Sequence, residues 1–335
     1  MNSEEMKKNC LFEDYPKLEG STVALLKEAE RQGINYEIID EEHCFVKLSM
    51  GKRTEYVVQA TKTSRDTYVF PYLVNDKEFT KQLLRTKKLN VPDGIVIEKD
   101  MLAKDINHEI LKYAGKPVVI KPRTTNCGVG ITVFKDKASE TEIKNAVKYA
   151  FKFDDNVLIE EYAEGKEYRF VIINNKCISV VHRRNASVVG DGKKTIHELI
   201  IEKNKEPWHE ILKRQIQIDE PLKIYLKGQN LSLNSIPKEG ERVFLRKNSN
   251  CCTGGESIDV TEIMPDYFKK IAIKATKAFG AKICGVDILI DDMNKHKYSI
   301  VEVNDNPGIG INEWPYEGKG EKIGLEILKL LKFID

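Results

Sequence analysis

No apolar run in the 335-residue chain approaches the roughly 20 residues of a membrane helix. The opening Met1-Asn-Ser-Glu-Glu-Met-Lys-Lys8 has no apolar core of the signal-peptide kind. The seven cysteines form no Cys-x-x-Cys spacing, and an odd number with Cys251 beside Cys252 does not describe a disulfide framework. An excess of one charge is missing too: 54 Lys and Arg face 52 Asp and Glu, a formal +2 that implies neither a nucleic-acid nor a membrane partner. No GxxxxGK[ST] and no kinase HRD/DFG pair occurs, so the nucleotide-binding classes with those signatures are disfavoured. These absences leave the expectation of a reduced, cytoplasmic enzyme. Its 41% hydrophobic content suffices for a large core and two or three domains.

The most informative stretch that is present runs Tyr298-Ser-Ile-Val-Glu-Val-Asn-Asp-Asn-Pro307. Ile300, Val301 and Val303 supply strand-forming bulk. Glu302 and Asn304 stand two apart, on one face of a strand, where a carboxylate and an amide oxygen can grip a hard cation. Upstream, Cys284-Gly-Val-Asp-Ile-Leu-Ile290 sets one acid, Asp287, in an apolar run. An antiparallel hairpin would bring Asp287 beside Glu302 and Asn304. Charges inside apolar strands are usually paired or metal-bound.

The first 75 residues read as a small α/β unit. Ser21 is placed to cap a helix stopped at Gly33, and strands follow at 34–39, 44–49 and 54–59. A helix from Asn75-Asp76 to about Lys88 carries Lys77 and Lys81. Residues 76–163 then form a β-loop-β-α-β block: strand 117–122 ending near Lys121, a polar loop 123–130, strand 131–134, helix 140–151, and strand 157–162. The glycine loop joins two strands, unlike a dinucleotide fingerprint, which leads into a helix. Residues 164–335 are mostly β, with helices at 195–203, 267–279 and 321–331, and with 204–240 read as an irregular charged insertion.

Lys121 faces the loop Thr124-Thr-Asn-Cys-Gly-Val-Gly130. Backbone around Asn126, Gly128 and Gly130 can close on phosphate oxygens, and Lys121 and Lys77 add positive charge. A Gly-x-Gly alone is a weak signal. Glu160 and Glu161, at a strand end, can read an adenine amino group and ribose hydroxyls, with Glu167 nearby. Together with Asp287, Glu302 and Asn304, these residues fit a nucleotide triphosphate held with Mg²⁺ between two sheets.

This arrangement resembles the ATP-grasp superfamily. The matching landmarks are Asp76-Lys77, Val119-Ile-Lys-Pro122, Val157-Leu-Ile-Glu160, Glu167, Gly285-Val-Asp287 and Val301-Glu-Val-Asn304. Within it, the chain is similar to the glutathione synthetase module of bacterial bifunctional glutathione enzymes and, more distantly, to cyanophycin synthetase. That likeness rests on Glu55-Tyr-Val-Val-Gln-Ala-Thr-Lys-Thr-Ser64, Glu164-Gly-Lys-Glu-Tyr-Arg169, Leu245-Arg-Lys-Asn-Ser-Asn250 with Thr253-Gly-Gly255, and Pro315-Tyr-Glu-Gly-Lys319.

The resemblance implies an α/β (α+β) ATP-grasp fold, two α+β subdomains clamping ATP. It implies a carboxylate–amine ligase that works through an acyl phosphate, with Mg²⁺ (Mn²⁺ as the alternative) at Asp287, Glu302 and Asn304. On the same footing, Lys77 and Lys121 would hold phosphates, Glu160 and Tyr162 would line the adenine site, and Glu167 would take the ribose. Arg183 and Arg246 would stabilise the acyl phosphate and tetrahedral intermediate; Asn248, Asn250, Gly254 and Gly255 would shape the acceptor side. The expected partners are a dipeptide and an amino acid, the dipeptide supplied by a separate ligase, with a homodimer as an open option. Arg184-Asn185, Cys251-Cys252, Cys127 and the Asn306–Gly310 stretch depart from the glutathione pattern. They lie mostly where substrates would sit, so a related peptide ligase of the cyanophycin type is the competing expectation.

Overall fold

The computed structural model describes residues 16–125 and 128–335. Three antiparallel sheets and a two-stranded ribbon organise the chain. Helix α1 (Gly20–Arg31) leads into strands β1 (Asn35–Asp40), β2 (Phe45–Met50) and β3 (Arg53–Val58), which pair in that order. The helix starts two residues earlier than the Ser21 cap predicts: Glu19 is the N-cap, and Ser21 is buried inside the first turn. Gly33, at φ +68°, ends it as expected.

A short helix α2 (Val69–Asn75) precedes α3 (Lys77–Thr86). Asp76 caps α3 by accepting from the backbone N–H groups of Glu78 and Phe79 at 2.9 and 3.1 Å. The next block comprises β4 (Gly94–Glu98), α4 (Ala103–Leu111), β5 (Val118–Pro122), β6 (Thr132–Phe134), α5 (Glu140–Ala150) and β7 (Asn156–Glu161). Its strands form one antiparallel sheet ordered β4-β7-β5-β6. Ile97, Ile110, Ile120, Ile143, Val147 and Ile159 fill the core between this sheet and its helices.

The largest sheet is built from β8 (Lys166–Ile173), β9 (Lys176–Arg184), β12 (Glu256–Asp259), β13 (Ile283–Ile290) and β14 (Tyr298–Asn304), in the order β12-β9-β8-β13-β14. Its two faces do different work, as the period of two requires. Phe170, Ile172, Cys284, Val286 and Ile288 point to one face and pack with Phe268, Ala272 and Ala275 of helix α9 (Asp266–Ala278). Val171, Ile173 and Ile283 point to the other, into a core shared with α1, β2, β3 and the C-terminal helix α10 (Ile323–Leu330). The N-terminal unit therefore covers only one end of that second face. Gly165, at φ +134°, carries the chain from β7 into β8; a Cβ there would lie 2.6 Å from the carbonyl carbon of Ile290.

The segment read as an irregular insertion is ordered. It holds helices α7 (Pro207–Ile211) and α8 (Glu220–Gly228), preceded by α6 (Ile196–Asn204). With the ribbon β10 (Ser187–Val189) and β11 (Arg242–Phe244) they enclose a satellite core of Val188, Ile200, Ile216, Leu222, Leu226 and Val243. The apolar stripe of α8 is narrow, only Leu222 and Leu226 being buried while Ile224 stays 63% exposed, so the period was masked. No helix of the described residues is long and apolar enough to cross a membrane.

Candidate active site

The open part of the second sheet face carries a row of charges. Asp287 on β13 lies opposite Arg169 on β8 and opposite Glu302 on β14. Simple alternation would put Glu302 on the same side as Ile300, which belongs to the core. A register shift resolves the conflict: Asp287 pairs with Glu302, but the next residue, Ile288, pairs with Ile300. The extra residue, Val301, is a bulge that lets Ile300 stay in the core while Glu302 faces Asp287.

Asp287 is 1% exposed. Arg169 grips it with two hydrogen bonds, Nε to Oδ1 and Nη2 to Oδ2, each 2.5 Å. Arg183 on β9 adds Nη1 to Oδ2 at 3.2 Å and donates to Glu167 Oε1 at 2.7 Å. Burial works against ionisation of Asp287, yet the two guanidiniums hold its carboxyl below the usual range. Glu302 is shifted the other way, raised by burial and by the Asp287 charge beside it. Arg169 Nη2 also lies 4.0 Å from Glu302 Oε2, so one guanidinium stands against both carboxylates. Asn304 completes the set: its amide nitrogen is buried with no hydrogen-bond partner among the described residues. A half-turn of the amide would present the oxygen there instead. Among the described residues no group of three or more His, Cys, Asp and Glu is gathered that could hold a metal. Two carboxylates and one amide are the sparse set that suits Mg²⁺, which keeps waters and takes phosphate oxygens.

Beside Glu302 is a narrow crevice lined by Lys77, Lys81, Lys121, Leu84, Ile300 and Glu302. It joins the end of β5 to β14, so the lysines and Glu302 share one cleft. Lys77 donates to the carbonyls of Arg123 (3.4 Å) and Thr125. Burial, then the neighbouring Lys121 charge, pulls its pKa down to about 8.

Glu160 is not where the adenine expectation puts it. It is 2% exposed, with Lys81 Nζ at 2.9 Å from one oxygen and Lys121 Nζ at 2.7 Å from the other. A carboxylate so enclosed is a counter-ion that aims the lysines, since an unpaired buried charge would be costly. Glu161 is exposed at the strand end. Tyr162 donates its backbone N–H to the Pro117 carbonyl at 3.1 Å and lines a separate hollow with Ala163, Glu164, Lys297 and Ser299. Glu167 binds Arg183 and accepts from the Ser249 hydroxyl, which ties it to the Asp287 row.

Arg246 likewise differs from its expected place. It is 6% exposed and pairs with Asp219, the N-cap of α8, at 2.8 Å and with the Gln217 carbonyl at 2.9 Å. Its partners lie in the satellite unit, so it joins that unit to the loop carrying Asn248. Asn248 Oδ1 and Asn250 serve the loop itself, Asn250 accepting from Cys252 N–H at 2.9 Å and Asn248 lying 3.5 Å from Thr253 Oγ1. Gly254 (φ +92°) and Gly255 are glycines for lack of room: added Cβ atoms would lie 2.8 Å from Ile216 Cα and 2.6 Å from the Ser249 carbonyl oxygen. Gly254→Ala should therefore cost about 1–3 kcal/mol, read as a lower denaturation midpoint. In the glycine loop, Gly128 and Gly130 have φ +79° and +74°; Asn126 and Cys127 lie outside the described residues. The sequence assigns no site role to Arg169 or to Lys81. Arg169 is signalled only by register: a strand arginine that must neighbour a lone buried acid.

Three family models match the chain: an ATP-grasp-like domain over residues 16–69, a D-ala D-ala ligase C-terminus over 83–195, and a RimK-like ATP-grasp domain over 232–323. With the two-sheet clamp described above, the chain belongs to the ATP-grasp superfamily. It is 41% identical over 326 residues to the glutathione biosynthesis bifunctional protein GshAB of Clostridium perfringens, covering 95% of this chain and 41% of that protein. The namesake of Enterococcus faecalis is 40% identical over 327 residues, covering 95% of this chain and 43% of that protein. A crystal structure of a bifunctional glutathione synthetase from Pasteurella multocida superposes with a TM-score of 0.71 at 34% identity, covering 95% of this chain and 44% of that one. The chain thus spans about two fifths of the length of the curated relatives it matches.

Proposed function

We propose that the protein is an ATP-dependent carboxylate–amine ligase that joins γ-glutamylcysteine to glycine. The observation that carries the reading is the cleft in which Lys77 and Lys121 meet Glu302, itself paired across the sheet with Asp287. Positive charge for phosphates and one carboxylate of the proposed cation grip line the same crevice, which would suit phosphoryl transfer to a carboxylate. ATP-grasp ligases use ATP with a divalent metal; here Asp287, Glu302 and Asn304 would hold Mg²⁺, which when bound offsets phosphate charge. Lys121, aimed by Glu160, and Lys77 would bind phosphate oxygens. Arg183, beside Asp287 and Glu167, would face the carbonyl oxygen that gains charge when the amine attacks. Block 76–163 would act as the lid that keeps water from the acyl phosphate. The names of the relatives direct the substrate choice toward glutathione.

The test is ADP release from ATP with γ-glutamylcysteine and glycine together. Turnover that needs both supports the reading. No dependence on the pair over a wide concentration range would overturn the glutathione assignment, and product mass spectrometry with other amino acids and dipeptides would then give the substrates.

Lys77 makes a second expectation. With its pKa near 8, part of the population is neutral just above that pH. A bound phosphate favours the charged form and raises the pKa, so ATP binding should take up a proton between about pH 8 and 9. Calorimetry in buffers of different ionisation heat would show it; the KM for ATP should rise as pH passes through about 8. Lys77→Met should lose the proton uptake.

A further inference from the structure

We propose that Arg214 anchors the free carboxylate of the amino-acid acceptor. This rests on the ligase reading above and adds to it a residue that decides which amine is accepted.

The neighbouring arginines all have acidic partners. Arg169 and Arg183 hold Asp287, Arg184 holds Glu256 and Glu317, and Arg246 holds Asp219. Arg214 has none among the described residues. Its only side-chain hydrogen bond there runs from Nη1 to the sulfur of the exposed Cys252, at 3.0 Å, and its Nε is buried without a partner. A thiol is a weak acceptor for a guanidinium. A planar fork with free donors matches a carboxylate.

Its place is suited to the acceptor. Cys252 belongs to the Asn248–Gly255 loop, and Arg214 Nη2 lies 4.0 Å from where a Cβ on Gly308 would stand, in the turn just after the Glu302 strand. Burial pushes the Cys251 thiol pKa up, and the charges of Arg183, Arg214 and Arg169 act against that rise. Arg214 thus borders the Asp287 row from the loop side.

The backbone holds it there. The N–H of Arg214 bonds to the His209 carbonyl at 2.8 Å, and His209 Nδ1 meets the Arg214 carbonyl at 2.7 Å. Burial lowers the His209 pKa, which keeps the ring neutral. Next to it, Trp208 pins α7 through Nε1 to the Trp314 carbonyl at 2.8 Å. An amine acceptor reacts through its nitrogen, and its carboxylate is a spectator. Holding that carboxylate orients the nitrogen without taking part in the bond change. An added Cβ on Gly308 would meet nothing nearer than Arg214 Nη2, which leaves room for a short acceptor.

Two measurements on the full chain test the proposal. The first uses no turnover: alkylation of Cys252, followed by peptide mass mapping, with anionic iodoacetate and neutral iodoacetamide. An anion anchor beside the thiol favours iodoacetate, so the rate ratio of the two reagents should fall about fivefold in Arg214→Gln. Arg214→Lys, which keeps the charge, should retain most of it. Dividing the two rates cancels any change in thiol reactivity or folding shared by both. The second compares glycine with glycinamide. Arg214→Gln should raise the KM for glycine about 10- to 100-fold, leave the KM for ATP unchanged, and lose the preference over glycinamide. An equal alkylation ratio in wild type and Arg214→Gln, or a glycine preference that survives the substitution, overturns the role of Arg214. If the ratio falls but wild type shows no glycine-dependent ADP release, the carboxylate anchor stands and the choice of glycine fails.

Discussion

Glu302→Ala leaves a folded protein that no longer turns over. The expected loss in kcat is at least about a thousandfold, the scale of charge compensation removed from phosphoryl transfer. Stability should move the other way. Burial and the Asp287 charge raise the Glu302 pKa in the folded chain. A carboxyl whose folded pKa lies above its unfolded value favours folding below the unfolded pKa and loses that contribution as pH rises through the folded one. At neutral pH the ionised Glu302 therefore strains the site, and removing it relieves Asp287. Thermal melts at pH 7 should show Glu302→Ala no less stable than wild type, with the advantage shrinking toward pH 4. Glu302→Gln should behave alike, since it keeps the shape and drops the charge. Ligase activity unchanged in Glu302→Ala would sink the metal assignment.

Arg169→Ala should damage the fold itself. Asp287 is 1% exposed and relies on Arg169 for two short hydrogen bonds. Removing one partner of such a pair typically costs about 3–5 kcal/mol, because a buried charge is left uncompensated. Arg183 remains at 3.2 Å and should keep the loss toward the lower end. In wild type, Asp287 is held below the usual carboxylate range, so its contribution is present above the unfolded pKa and lost as pH falls through the folded one. In the variant the Asp287 pKa climbs and protonation becomes easy. The gap between the two proteins, read from denaturant midpoints, should be widest near pH 7 and narrow toward pH 4. A gap that did not change with pH would mean that Arg169 acts by packing and not by charge. Losing the pair leaves Asp287 and Glu302 facing each other, so added Mg²⁺ should recover part of the midpoint.

Much of this was legible in the order of residues. The hairpin of β13 and β14 could be read because Asp287 interrupts one apolar strand and Glu302 and Asn304 interrupt the other, with turn residues between. Block 76–163 could be read because the helical spacing of Ile143, Ala146, Val147 and Ala150 and strand-forming runs such as Val118–Pro122 are local. Asp76 showed itself as a cap in the same way. The insertion was not legible, because α8 buries only a narrow stripe and gains its stability from contacts with β10, β11 and α6.

The pairing of charges was also out of reach. Glu160 at a strand end looks like a ligand-reading acid, yet Lys81 and Lys121, which enclose it, come from two separate elements. Arg246 sits beside the acceptor loop in sequence, but its carboxylate is Asp219, 27 residues away in the chain. Sequence neighbours fix which groups are near a loop, whereas long side chains choose partners across space.

Residue order alone determined which strands form and which carboxylates and lysines they carry. Those properties rest on local periodicity and short spacing, which need no third dimension. Tertiary structure decided where that chemistry points. A two-residue period would place Glu302 with the core residue Ile300, and only the bulge at Val301, imposed by pairing with β13, turns the carboxylate to Asp287. The same holds for Arg169, whose role comes from a register with β13 that joins residues 118 apart.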